Sequence, residues 1–411
     1  MIIHCNKLPN KKKSATRKQA SSFSFALYDA VAMINESDWN KVVEGRDFFL
    51  QLAYLTALEN SPPTNMHFQY ALIYNAKVPV AVAYFQLLDV SFDALNGLLK
   101  DEKNDSFSGY IKKHITNHIL KSVNKLKLGI LICGNSFISG EHGFIYTSDI
   151  NPLDAFDALA DVIYKISNTG KFSEKIEVVL VKDFYKPSVE NAKELEEYKY
   201  HDFLVEPNMV LMIDPKWSNF EDYLSVLSKK YRHRAKTIIK KGNVFERQNF
   251  SEQELKIHSK KIYELYSNVL LKARFRMATL PESYFVEMKK KLQDQFQVVG
   301  YFLNGQLVGF KSSFLLEKQV EAHFVGLDYS INKEYELYQN ILYDYLKDAV
   351  LLGKNSLHFG RTASEIKSNI GAKAQELTCY ARHQNTFSNK IIKHLIDQLK
   401  PEEWTPRNPF K

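Results

Sequence analysis

The stretch FQVVGYFLNGQLVGFKSSFLL, residues 296–316, spells a β-hairpin: an apolar, β-branched and aromatic run, Asn304-Gly305, then a second run of the same kind. Asn-Gly is the strongest short-range hairpin signal because both residues tolerate positive φ. A second copy stands earlier as FQYALIYNAKVPVAVAYFQL, residues 68–87. Aligning Asn75 with Asn304 gives an offset of 304 − 75 = 229 residues. A helical segment precedes each hairpin, FFLQLAYLTALEN (48–60) and LPESYFVEMKKKL (280–292). After the first hairpin KLGILICG (127–134), NPLDAFDALADVIYKI (151–166) and KIEVVLVKDFY (175–185) read strand, helix, strand. After the second, QVEAHFVGLDY (319–329), KEYELYQNILYDYLKDAVLLG (333–353) and SLHFG (356–360) repeat that order. Pro152 and Asp154 mark the start of the first of these helices, and Gly353 is placed to cap the second. Each half is therefore a mixed α/β layered domain, used twice.

The expected organisation is a basic flexible tail over 1–22, a first domain over 23–190 and a second over 191–411. The boundary is placed in KPSVENAKELEEYKYHDF (186–203), which has a Pro, a burst of acids and no sustained apolar period. The length of 411 residues fits more than one core. No window approaches the roughly 18–20 uninterrupted apolar residues of a spanning helix. Cys5, Cys133 and Cys379 are scattered and odd in number, which fits a reducing compartment, so a cytoplasmic location is expected. The net charge of +8 favours polyanionic partners without selecting one.

The order of elements, together with FGRTASEIKSNIGAK (359–373), resembles the tandem GNAT-fold proteins of the FemAB-like superfamily. YLSVLSKKYRHRAKTIIKKG (223–242) is similar to the basic helix that opens their second domain, and YLTALENS (54–61) to a first-domain helix. The resemblance runs from about residue 30 to residue 385. It implies two tandem GNAT-like mixed-sheet domains and transfer of an acyl or aminoacyl group to an amine in a ternary complex. It also implies no bound cofactor, with acyl-coenzyme A or aminoacyl-tRNA as co-substrate. The acceptor would be a small-molecule or lipid-linked amine, and tRNA a partner. Ordinary GNAT enzymes hold the pyrophosphate of coenzyme A with a Gly-rich turn. Here that turn is DYSINKEYELY (328–338), with Glu334 and Glu336 where a phosphate would sit.

Within the second domain, Arg361 is the candidate for bidentate grip on a carboxylate or phosphate. Lys367 would hold a further oxygen, and Gly360 and Thr362 would form the turn that lets backbone approach the ligand. Glu321 and His323 should project to one face of their strand, and His323, Glu321 or Asp328 at the strand's end would take the amine's proton. Each also has a plain structural reading, as a buried hydrogen-bonded His or a helix-capping Asp. The run Lys229 to Lys241, including Arg232, Arg234 and Lys236, is almost free of acids and suits phosphates. A non-catalytic module that recognises RNA or a phosphorylated ligand through this helix is the alternative. In the first domain, CGNSFISGEHGF (133–144) is the most glycine-dense window, and Glu141 and His142 could line a cleft there. No metal site is expected: His114 and His118 have zinc-pair spacing but lack the following glutamate and a third ligand.

Overall fold

The computed structural model describes residues 2–4, 23–91, 127–272, 278–396, 401 and 403–411. His114, His118, Cys5 and residues 5–22 of the basic tail lie outside these. The first half comprises β1 (Ile2–His4), β2 (Phe23–Tyr28), α1 (Glu36–Val43), α2 (Leu52–Asn60), β3 (Met66–Asn75), β4 (Val78–Ser91), β5 (Lys127–Cys133), β6 (Phe144–Tyr146), α3 (Pro152–Thr169), β7 (Ile176–Tyr185) and α4 (Lys186–Ala192). There follow β8 (His201–Met212), α5 (Phe220–Val226), α6 (Lys229–Gly242), β9 (Glu246–Asn249), α7 (Glu252–Lys272) and α8 (Tyr284–Leu292). The second hairpin and its sequel are β10 (Phe296–Leu303), β11 (Gln306–Leu315), β12 (Gln319–Leu327), α9 (Tyr329–Tyr335), α10 (Leu337–Leu351), β13 (Ser356–His358), α11 (Ser364–Ser368), β14 (Lys373–His383) and α12 (Thr386–Ile396).

The strands among the described residues form one 14-stranded sheet in the order β1-β2-β3-β4-β5-β7-β14-β8-β13-β12-β11-β10-β9, with β6 on β4. The pairs β5–β7 and β12–β13 are parallel and the others antiparallel. α1, α2, α7 and α8 bury their apolar stripes on one face of the sheet. α3, with α6 and α10, covers the other.

The hairpins are copies to the level of a single bulge. The tight turns are Ala76-Lys77 and Asn304-Gly305, all at positive φ, between the pairs Asn75↔Val78 and Leu303↔Gln306. Both ladders slip one residue just after the turn, at Val80 in the first and Val308 in the second. The true offset is therefore 304 − 76 = 228, one less than the Asn75–Asn304 alignment gives, because Asn75 is the last strand residue and not a turn residue.

Three expectations change. Ile2–His4 pairs with Ser24–Ala26 and is a strand, not tail. The segment 186–203 folds as α4, a 3₁₀ turn and the start of β8, and the sheet runs straight through it. The basic helix is two helices, because Leu227 and Ser228 are extended and the C-terminal segment pins them: Leu227 bridges Phe410 and Ser228 N–H donates to Pro409.

The closing strands are exchanged. β8 follows β7 in the chain yet pairs with β13 of the second half. β14 follows β13 yet pairs with β7 of the first. β8 and β14 lie side by side, so the seam between halves is made of backbone hydrogen bonds.

Candidate functional site

Parallel pairing of β12 with β13 lasts from Gln319↔Ser356 to Glu321↔His358 and stops there. β12 continues to Leu327 along β11, while the chain after His358 bends onto β8, with Phe359 N–H donating to Met209 O and Met209 N–H to Gly360 O. A wedge opens beyond Glu321 and His358. Their side chains meet at its apex, His358 Nδ1 lying 3.2 Å from Glu321 Oε2. Glu321 is almost wholly buried at 2 % side-chain exposure, and His358 is 15 % exposed. The same ring nitrogen is 3.5 Å from Asn208 Nδ2 of β8. With a proton, Nδ1 donates to Glu321; without one, it accepts from Asn208. Asn208 Nδ2 also donates to the Tyr185 hydroxyl of β7 at 2.9 Å.

The first half completes this surface. Its glycine-dense loop brings Glu141 and His142 to the seam. His142 Nδ1 donates to Asp47 Oδ2 at 2.8 Å, and the ring packs edge-on against Phe49. Burial pulls the His142 pKa down, but the carboxylates of Asp47 and Glu321 outweigh it, leaving it above the ordinary 6.5. Glu141 accepts from Tyr185 N–H and the Ser188 hydroxyl, and burial raises its pKa above 4.5.

Arg361 does not stand free. Its guanidinium is paired with Asp183 Oδ1, and Asp183 Oδ2 receives Lys182 Nζ and the Gly140 N–H. Asp183 is fully buried at a bulge of β7, at φ 71. Burial alone would raise its pKa, but the two cations hold it below the usual carboxylate value. Lys367 is also turned inward: its ammonium donates to the Gly360 and Arg361 carbonyls, clamping a turn whose Gly360, Thr362 and Ala363 all have positive φ. Burial holds the Lys367 pKa down to about 7. Thr362 is exposed at that turn.

His323 and Asp328 are engaged elsewhere. Opposite Ser312, β12 carries a two-residue bulge of His323 and Phe324, flanked by Ser313↔Ala322 and Lys311↔Val325. The bulge ends the alternation expected along the strand: the two rings lie together, centroids 4.3 Å apart. His323 sits among Tyr284, Phe296 and Phe314, with Ser312 Oγ at 3.2 Å, and burial holds its pKa down to about 3, so it is neutral. Asp328 caps α9 by accepting from the Ser330 N–H and hydroxyl. Of the expected catalytic residues, Glu321 is the one at the wedge.

The basic face lies across the sheet. Glu321 faces the α2–α8 side, whereas α6 packs with α10 on the opposite side. Arg234 and Lys236 are exposed and Arg232 is partly so; Lys236 is 4.0 Å from Glu221, and Arg234 reaches Gln339. An open cavity of about 300 Å³ is lined there by His233, Arg234, Thr237, Ile238, Lys241 and Glu336. Glu336, at φ 53 before α10, is 3.6 Å from Lys241. Among the described residues no group of three or more His, Cys, Asp and Glu is placed to hold a metal ion, and no helix is long and apolar enough to cross a membrane.

His358, Asn208, Tyr185, Asp183 and Asp47 carry no motif and were not singled out from sequence. His358 stood two residues before the Gly360-Arg361 pair, and that proximity was the one available signal.

Neither a protein-family model nor a curated protein sequence matches the chain. Solved structures do match in three dimensions. FemX superposes with a TM-score of 0.51 at 11% identity, over 88% of this chain and 97% of that one. A tandem GNAT protein from the clavulanic acid biosynthesis pathway, solved without AcCoA, does so with a TM-score of 0.53 at 8% identity, over 88% and 99%. At such identities the likeness is one of fold, and the fold is that of two GNAT-like domains in tandem.

Proposed function

We propose that this tandem GNAT chain is a transferase that moves an acyl or aminoacyl group onto an amine at the β12–β13 wedge. The observation that carries the reading is the Glu321–His358 pair at the last residues where the two parallel strands touch. The amine nitrogen attacks the donor's carbonyl carbon, a C–N bond forms, and the C–S or C–O bond to the carrier breaks. The nitrogen's proton passes to the Glu321–His358 pair, which then delivers it to the departing thiolate or alkoxide. A positioned base contributes roughly 10²–10⁴-fold to such a step. Holding donor and acceptor together supplies the remainder, and no covalent intermediate on the protein is needed.

The test is transfer from radiolabelled acyl-coenzyme A and from aminoacyl-tRNA to a panel of amines, with wild type and Glu321→Gln. Transfer that falls at least about 100-fold in the variant, with the fold intact, supports the reading. Transfer indifferent to Glu321 overturns the assignment of the base, and no transfer from either donor overturns the enzyme.

A second reading rests on the cavity between α6 and Glu336, whose His233, Arg234 and Lys241 suit a phosphate group. It makes the chain a module for RNA or a phosphorylated ligand. Affinity for tRNA that falls with salt and collapses when Arg232 and Arg234 become Ala supports it.

A further inference from the structure

The turn that follows β13 has little local support. Thr362 and Ala363 hold positive φ without being glycine, a conformation that side chains resist. α11, the helix after it, is five residues long and too short to persist by itself. From inside, Lys367 clamps the Gly360 and Arg361 carbonyls. From outside, the support is the C-terminal segment. Arg407 N–H donates to Ser368 Oγ at 3.2 Å, and its guanidinium donates from Nε and Nη2 to Glu365 Oε1 at 3.1 and 2.6 Å. The Phe410 ring lies on Gly371, which has φ +104, and a Cβ there would meet Phe410 Cζ at 2.4 Å.

The same segment reaches the start of α6. Ser228 N–H donates to Pro409 O at 2.9 Å and Lys411 N–H to Val226 O at 3.1 Å, while the Lys411 ammonium donates to Ser225 O at 2.7 Å. Phe410 bridges Leu227 and stands 6.1 and 6.4 Å, ring to ring, from Trp217 and Tyr223. Nothing local explains the break between α5 and α6. LSVLSKK (224–230) contains neither Gly nor Pro, and Tyr223, Leu227, Tyr231, Ala235 and Ile238 keep helical spacing through it. The Ser228 side chain makes no capping bond to α6. A tertiary contact therefore keeps extended two residues that their neighbours would leave helical.

We infer that residues 407–411 are a strap that makes the wedge turn and the start of α6 one conformational unit, with Arg407 and Phe410 as positioning residues for transfer. The inference rests on the wedge being the transfer site. Neither residue touches the wedge. Phe410 holds Gly371, Arg407 holds Glu365 and Ser368, and Lys367 between them holds the carbonyls of the turn. Whatever moves the first turn of α6 thus moves a turn that opens on the other side of the sheet. Phe410 carries more of this than Arg407, whose pair with Glu365 is exposed on both sides and weak in water.

The experiment is hydrogen exchange on the full chain, read by mass spectrometry over 225–232 and 360–372, with both hairpins as internal controls. Phe410→Ala should speed exchange at least about tenfold in both windows and leave the hairpins unchanged. Acceleration in one window alone, or evenly along the chain, overturns the inference. Gly371→Ala strikes the strap from the wedge side and should speed 225–232 as well, but add nothing there in a Phe410→Ala background. Additive effects mean separate supports and overturn it. Where Phe410→Ala does not fold, Arg407→Ala decides: both windows must still speed together. Transfer should fall about 10²-fold in Phe410→Ala, as misplacement near a reacting centre does, and recover in Phe410→Met, which refills the space over Gly371. Transfer unchanged in Phe410→Ala overturns the positioning role and leaves the transferase reading intact. Coupled exchange in a chain that transfers nothing removes the transferase reading and leaves the strap.

Discussion

In the first half, opposite Tyr84 of β4, the chain leaves the sheet for ten residues: Phe85 pairs with Cys133 and Ala83 with Phe144, and 134–143 lie between. In the second half, the same place is opposite Ser312 of β11, since 84 + 228 = 312, and only His323 and Phe324 intervene. One bulge has been kept short and the other grown into a loop. The long loop crosses its own wedge, where Lys182 Nζ donates to the Asn135 and Ile138 carbonyls at 2.6 and 3.2 Å and closes it. The short bulge leaves the second wedge uncrossed, and the tip of the long loop, with Glu141 and His142, faces it from the other half. A fold that opens a cleft in each copy does not make two sites. What crosses the cleft decides, and here one copy is closed in a way that furnishes the other.

The largest effect expected from breaking this arrangement comes from the ion cluster that joins the halves. Asp183→Asn leaves Lys182 and Arg361 buried without a countercharge and should destabilise by about 3–5 kcal/mol in urea unfolding. A loss below about 1 kcal/mol would mean the seam is held by the β8–β14 backbone ladder alone.

Next is the closed wedge itself. Gly134 has φ +144, and a Cβ there would meet Lys182 Cγ at 2.2 Å. Gly134→Ala should cost about 1–3 kcal/mol and speed hydrogen exchange across 134–143, while the β12 bulge keeps its protection. Exchange that rises equally in both places would show that the two wedges open together.

The turn at the open wedge carries a pH signature. Burial holds Lys367 down to about 7, so the folded chain releases this proton where the unfolded chain still binds it. Between that value and the unfolded pKa of about 10.4 stability rises with pH, by up to about 1.4 kcal/mol per unit. Urea melts at pH 7, 8 and 9 should show wild type gaining on Lys367→Met. A difference flat with pH would mean the ammonium keeps its proton between the two carbonyls.

The smallest effect compares the hairpins. Ala76 and Lys77 hold positive φ without the residues that favour it, whereas the other turn has Asn304 and Gly305. Replacing Ala76-Lys77 by Asn-Gly should stabilise the chain by about 1 kcal/mol in thermal melts, and the reciprocal change should cost as much.

Much of this fold was legible because hairpins, caps and amphipathic runs are local. The Asn-Gly turn, the Pro152 helix start and the helices α2 and α8, Leu52–Asn60 within the expected 48–60 and Tyr284–Leu292 within 280–292, depend on neighbours in sequence. The exchange of β8 and β14 was not legible, since the sequence reading placed no strand at either segment and their cross-half partners lie 356 − 212 = 144 and 377 − 185 = 192 residues away. At the site, Glu321 and the Gly360-Arg361 turn could be picked out by type and position. Arg361 read as a free anion grip, yet its partner, Asp183, sits in VVLVKDFY, where no periodic signal sets an aspartate apart from a strand's end.

The sequence by itself determined a duplicated mixed α/β unit, the hairpin repeated in each copy and the glycine-rich interruption of the first. These follow from turn chemistry and from the periods of 2 and 3.6, which act over a few residues. Only the tertiary structure decided which wedge stays open and which residues meet at its apex. Glu321, His358, Asn208 and His142 come from four segments, and they converge because two swapped strands align the halves in one sheet. Pairing register across a seam is set by the burial of whole faces at once, and no local stretch of sequence contains that sum.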